Sequence, residues 1–89
     1  MILQFTHSAQ RDLIRLRDFI AEKNPQAAER VSLRLRESIQ RLVDQPNSGV
    51  NLAELPGIQD LIGGDYIVRY TVLGEAIYIL RIWHGKEAR

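Results

Sequence analysis

Tyr66-Ile67-Val68-Arg69-Tyr70-Thr71-Val72, then Leu73-Gly74-Glu75, then Ala76-Ile77-Tyr78-Ile79-Leu80-Arg81-Ile82-Trp83 is the stretch on which the fold turns. Both flanks are rich in β-branched and aromatic residues, which suit a pleated, half-buried surface, and a glycine-containing turn lies between them. Tyr66, Val68, Tyr70 and Val72 are all apolar-bodied, so period-two alternation places them together on one face. A three-residue turn pairs them with Ile82, Leu80, Tyr78 and Ala76, and this face is the expected core. The odd set, Ile67, Arg69, Thr71, Ile79, Arg81 and Trp83, then shares the other face. Arginines on a strand often only solubilise an edge. Arg beside Trp is the composition enriched at binding hot spots, however, and the isoleucines are unusual company on a wetted face, so a binding surface is favoured.

Upstream, Gly63-Gly64-Asp65 marks another turn and bounds a strand at about 58 to 62. Pro46-Asn47-Ser48-Gly49 and Leu55-Pro56-Gly57 enclose a loop, 45 to 57, with little regular structure. Before it, Ala28, Val31, Leu35, Ile39 and Leu42 form the buried stripe of a helix running from Asn24-Pro25 to about Asp44. Asn24 can cap that helix, and Pro25 loses no hydrogen bond at its first position. An earlier helix, about 8 to 23, carries Ala9, Leu13, Leu16 and Ile20 on one face with Phe19 beside them. Arg11, Arg15, Asp18 and Glu22 form its wet face. Thr6 or Ser8 can cap it, and residues 2 to 6 form a short first strand. So short a connection makes the helices an αα-hairpin. The whole chain, 1–89, is one α+β domain of order β-α-α-β-β-β. The helical hairpin is expected on one face of a small, mostly antiparallel sheet.

A chain of 89 residues leaves much of its surface exposed, so its core is thin. Hydrophobic residues at 45% and charged residues at 26% are those of a globular protein rather than a disordered one. The absence of cysteine excludes disulfides and thiolate metal sites and suits a reducing cytosol. No apolar run approaches a signal peptide or a membrane span, so a cytoplasmic location with no membrane partner is expected. Twelve basic against eleven acidic residues are too balanced to diagnose a nucleic-acid binder. Their distribution says more: no Lys or Arg occurs between Leu42 and Val68.

Gly63-Gly64 stands alone and reads as a hairpin turn, not a phosphate loop. His7 and His84 have no second ligand at metal-site spacing, so no metal or cofactor is implied. His7 reads as a surface residue. His84 reads as a satisfied structural histidine unless an acid-base partner exists for it.

Several of these pieces together resemble the RelE/ParE superfamily, the toxins of type II toxin-antitoxin modules. They are Ala9, Asp12-Leu13, Ala27-Ala28-Glu29-Arg30, Pro46-x-x-Gly49, Leu55-Pro56-Gly57-Ile58, Asp65 to Tyr70, and Ile79-Leu80-Arg81-Ile82-Trp83-His84-Gly85-Lys86. The match spans nearly the whole chain. The resemblance implies the fold derived above, a cognate antitoxin held in a toxin-antitoxin hetero-oligomer, and one of two activities. ParE-like members, of the plasmid-stabilisation type, inhibit DNA gyrase by protein contact. RelE-like members cut mRNA on the ribosome, activating the ribose 2′-hydroxyl and stabilising the phosphorane charge.

On the first activity, Arg69, Arg81, Trp83, His84 and Lys86 are the expected target-binding residues, within a C-terminal contact segment from Arg81 to Arg89. On the second, Arg69, Arg81 and His84 are the candidate catalytic residues. The chain departs from family pattern at Ile67 and Thr71, where Arg is common, and at Glu87, where a second basic residue is common. RelE-like nucleases also carry cations in the stretch before the long hairpin, where this chain has none. Phosphodiester cleavage needs cations near the developing charge, so the gap favours the gyrase-directed reading.

Overall fold

A computed structural model describes residues 1–87. Strand β1 spans Ile2–Phe5, helix α1 His7–Lys23 and helix α2 Pro25–Gln40, with a 3₁₀ turn over Arg41–Val43. Strands β2 (Val50–Asn51), β3 (Ile58–Gly63), β4 (Tyr66–Leu73) and β5 (Ala76–His84) follow. They form one five-stranded sheet in the order β1-β5-β4-β3-β2. All neighbours are antiparallel except β1, which joins parallel to β5. The α+β class and the helical hairpin are as the sequence predicts. The loop from 45 to 57 departs from expectation by contributing the two-residue strand β2.

The helix ends follow from local chemistry. The Thr6 hydroxyl accepts the Ala9 N–H at 3.0 Å, satisfying one of α1's free donors. A single residue, Asn24, joins the helices: its own N–H closes α1 on Ile20 O, and its side chain accepts from Gln26 N and Ala27 N. Pro25 then begins α2. Leu16, Leu35, Ile39 and Leu42 pack on Val68, Tyr70, Ile77, Ile79 and Ile82. Truncating any of these to Ala is expected to cost about 2–5 kcal/mol.

The register of the long hairpin differs from the three-residue-turn expectation in two places. Leu73 pairs directly with Ala76, so Gly74-Glu75 is a two-residue turn with Gly74 at φ +60°, a conformation that glycine adopts without cost. This one-residue slip puts Ile77 and Ile79 on the helix-facing side and Ala76 and Tyr78 on the other. A β-bulge then leaves Leu80 unpaired between Tyr70↔Ile79 and Arg69↔Arg81, and parity flips back. Ile79, expected beside the arginines, is instead fully buried under the helices. Arg81 and Trp83 are on the expected face because the two shifts add to two residues, an even number that keeps the parity.

Candidate functional site

On the sheet face away from the helices, Arg69 stands opposite Arg81 on one side and Asp60 on the other, and Ile67 lies between Trp83 and Ile62. The Arg69 guanidinium forks onto Asp60, Nε to Oδ1 at 2.9 Å and a terminal nitrogen to Oδ2 at 3.1 Å. It also lies 5.0 Å from the centre of the Trp83 ring. The Asp60 bond raises the Arg69 pKa above the ordinary guanidinium value despite partial burial. A paired carboxylate and an aromatic face thus hold this cation in one place with its charge largely offset. Ile62 and Val50 extend the face as exposed apolar residues.

Arg81 starts on the same face but its guanidinium reaches Asp12 of α1, Nε to Oδ2 at 2.8 Å and a terminal nitrogen to Oδ1 at 3.2 Å. Asp12 is only 2% exposed. It also accepts the Ile82 N–H at 2.8 Å and a close bond from Arg15. Burial pushes its carboxyl up, but bonds from Arg81, Ile82 and Arg15 more than offset this, leaving it below the ordinary aspartate range. Arg15 continues the chain to Glu87, Nε to Oε2 at 2.8 Å, and to Ile82 O at 3.0 Å. The Arg15 bond is the main reason that the Glu87 carboxyl sits below its ordinary range.

His84 faces the helices, opposite Tyr66, with ring centres 5.0 Å from Tyr66 and 5.7 Å from Phe19. Its Nδ1 accepts the Lys86 N–H at 3.0 Å, so the neutral ring carries its proton on Nε2, which lies 3.9 Å from Asp65. The structure therefore brings Arg69, Arg81 and Trp83 to one face and places His84 on the other. Lys86 is exposed just beyond β5, and among the described residues its ammonium makes no ion pair. Of the expected contact segment, Ala88 and Arg89 lie outside the described residues.

Sequence reasoning passed over Asp12, Arg15, Asp60 and Glu87 as parts of the site. Asp12 carried a legible signal: it lies three residues after Ala9 and four before Leu16, inside the apolar stripe, where a lone carboxylate needs partners. Asp60 carried none until strand pairing placed it opposite Arg69.

Among the described residues, grooves lie on either side of α2. One, of about 530 Å³, runs between Arg34, Ser38 and Arg41 and the β3–β4 turn, over Leu61 and Tyr66. The other, of about 440 Å³, follows the seam between the helices past Arg17, Leu33 and Arg36. Leu33 is 56% exposed there, and Ile14 on α1 is 64% exposed. Among the described residues no three His, Cys, Asp or Glu side chains cluster as a metal site, and no helix is long and apolar enough to cross a membrane.

The family model for the ParE toxin of the type II toxin-antitoxin system, parDE, matches residues 3–89. Toxin RelE1 of Caulobacter vibrioides is 32% identical over 83 residues, covering 91% of this chain and 89% of its own. Toxin RelE2 of the same organism is 34% identical over 81 residues, covering 91% of each. Among solved structures, a chain of the chromosomal ParDE system from P. aeruginosa superposes with a TM-score of 0.82 at 27% identity, over 94% of this chain and 95% of that one. A chain of the toxin-antitoxin complex RelBE2 from Mycobacterium tuberculosis gives 0.68 at 28% identity, over 93% and 95%. The matched family, the named relatives and the fold agree: the chain belongs to the ParE toxin family of type II toxin-antitoxin systems, within the RelE/ParE superfamily.

Proposed function

We propose that this toxin, of the plasmid-stabilisation type, acts in the cytoplasm by binding DNA gyrase through protein-protein contact, and that a cognate antitoxin neutralises it. One observation carries the choice of target. Arg69 and Arg81 are each engaged by a carboxylate, Asp60 and Asp12, while His84 lies on the opposite face of the sheet. Cleaving a phosphodiester needs cations free to meet the developing charge and an acid-base group within reach of the same oxygens. A neutralised arginine on an indole, bordered by Ile62, Ile67 and Val50, is suited instead to a protein surface. The target-binding set is therefore Arg69, Arg81 and Lys86, with Trp83, only 7% exposed, backing Arg69 and His84 supporting the turn beneath them.

A second reading, a ribosome-dependent mRNA endonuclease using Arg69, Arg81 and His84, is favoured by the RelE names of the two Caulobacter relatives. Expression without antitoxin separates the readings. Gyrase inhibition is expected to stop DNA replication and cause filamentation while translation continues at first. Immediate arrest of translation with replication continuing would refute it.

For the antitoxin, the grooves beside α2 suit an amphipathic segment. Its apolar side chains would cover Leu33 and Ile14, and its acidic ones would meet Arg17, Arg34 and Arg36. The outer edge of β3 beyond β2, residues 61–63, adjoins the larger groove and offers unpaired backbone for a strand. A ligand at a hundred times its Kd stabilises the folded toxin by about 2.7 kcal/mol, so an unchanged melting temperature with excess antitoxin would rule this surface out.

A further inference from the structure

The bare end of β5 is closed by side chains rather than by a strand. β1 ends at Phe5, opposite Ile79, so residues 80–84 of β5 have no strand neighbour on that side. An uncovered strand edge invites pairing with other chains. Here the Leu80 carbonyl accepts from the Thr6 hydroxyl at 2.9 Å, and the Ile82 N–H donates to Asp12 at 2.8 Å. The Ile82 carbonyl accepts from Arg15 at 3.0 Å, and the His84 N–H donates to Glu87 at 2.8 Å. Asp12 and Arg15 reach in from α1, and Glu87 folds back from the tail. The bond from Arg15 to Glu87 joins the two ends of this arrangement across 72 residues of chain.

We propose that Asp12, Arg15 and Glu87 are positioning residues, a latch that fixes β5 and its tail so that Lys86 is presented to the target and the buried Trp83 ring keeps its place behind Arg69. The inference rests on the target-binding face proposed above. Three features support a positioning role over simple surface pairing. Asp12 is buried and receives three donors, which sets its orientation. Arg15 bridges two carboxylates and a backbone carbonyl, so it reports on helix and strand together. Glu87 binds a β5 N–H as well as Arg15, so the tail is held by main chain and side chain at once. Lys86 stands between Glu87 and the strand end, and its place on the surface follows from where Glu87 is held. Trp83 lies between the two backbone anchors, Ile82 and His84, so a shift in either would move the indole from its place against Arg69.

The test uses Glu87, whose largely covered side chain lies outside the apolar core, so that its substitution leaves the core intact. Glu87→Gln keeps the shape and removes the charge, weakening a charge-assisted bond, so exchange of the His84 amide is expected to speed up about tenfold. The same variant should lose the growth arrest caused by expressing the toxin alone. Glu87→Asp keeps the charge on a shorter arm and should recover part of both properties, a rescue that a merely space-filling role would not produce. Lys86→Glu tests the underlying face independently. If Glu87→Gln loosens the His84 amide while growth arrest persists, and Lys86→Glu abolishes arrest, the positioning role is wrong and the face stands. Growth arrest surviving both substitutions overturns the face itself. An unchanged His84 amide in Glu87→Gln shows that no latch exists.

Discussion

Replacing Tyr70 by Phe removes one oxygen from the point where the loop after α2 meets the sheet. The ring is fully buried, and its hydroxyl accepts the Gly49 N–H at 2.9 Å. It lies 2.6 Å from Gln59 Oε1 and 2.8 Å from the Pro46 carbonyl, and its single proton can serve only one of them at a time. Phe fills the same space, so little apolar contact is lost, and the cost comes from the polar groups left behind. A half-buried N–H without an acceptor costs about 1–3 kcal/mol, and a typical lost hydrogen bond about 1 kcal/mol. A total near 2 kcal/mol corresponds to a fall in Tm of roughly 8–16 °C for a domain of this size. Circular dichroism melts measure it, and exchange of the Gly49 amide locates it. A fall below about 3 °C with an unchanged Gly49 amide would show that the hydroxyl does not tether the loop.

Gly49→Ala should harm the same junction, because a Cβ there would lie 2.6 Å from the Tyr70 hydroxyl; overpacking of this kind costs about 1–3 kcal/mol, read from the same melts. Acid should weaken the Asp12–Arg15–Glu87 network: both carboxyls are held below their ordinary ranges in the folded state. Their stabilisation is therefore present above the unfolded values of about 4 and lost as pH falls through the lower folded values. Urea midpoints from pH 6 down to pH 3 check the sign, and wild type should fall more steeply than Glu87→Gln. Leu33→Asp on the α1–α2 seam should weaken antitoxin binding at least tenfold while toxicity persists, measured by calorimetry and by growth.

How far the sequence could be read depended on the range of the interactions involved. Both helices, their caps at Thr6 and Asn24, and the alternation along β4 are local, and each was legible from residue type and spacing. The open face held Arg69, Arg81 and Trp83 as expected, although two one-residue shifts had to add to an even number for it. The turn at Gly74-Glu75 moved the register by one residue, which buried Ile79 and freed Tyr78, and the bulge at Leu80 moved it by one more in the same direction, which restored the parity from Arg81 onward. A bulge depends on how Arg81 meets Asp12 and on where β1 ends, which are contacts across the whole chain. His84 fell on the far face because alternation, once restored after the bulge, separates it from Trp83. Val50 and Asn51 gave no strand pattern, since two residues carry no period. The charge gap between Leu42 and Val68 was visible from the start. Its meaning became sharper once Asp60, which lies within it, proved to be the partner of Arg69.

If the open face binds a protein and performs no phosphodiester chemistry, gyrase and the ribosome will respond differently to the toxin. Purified toxin added to gyrase with relaxed plasmid, and separately to ribosomes carrying mRNA, tests it most directly. The expected result is inhibited supercoiling or trapped cleaved DNA, lost on Arg81→Glu or on deletion of residues 85–89, with ribosome-bound mRNA left intact. Codon-positioned mRNA cleavage that disappears in Arg69→Ala or Arg81→Ala, with supercoiling unaffected by the wild type, would contradict it.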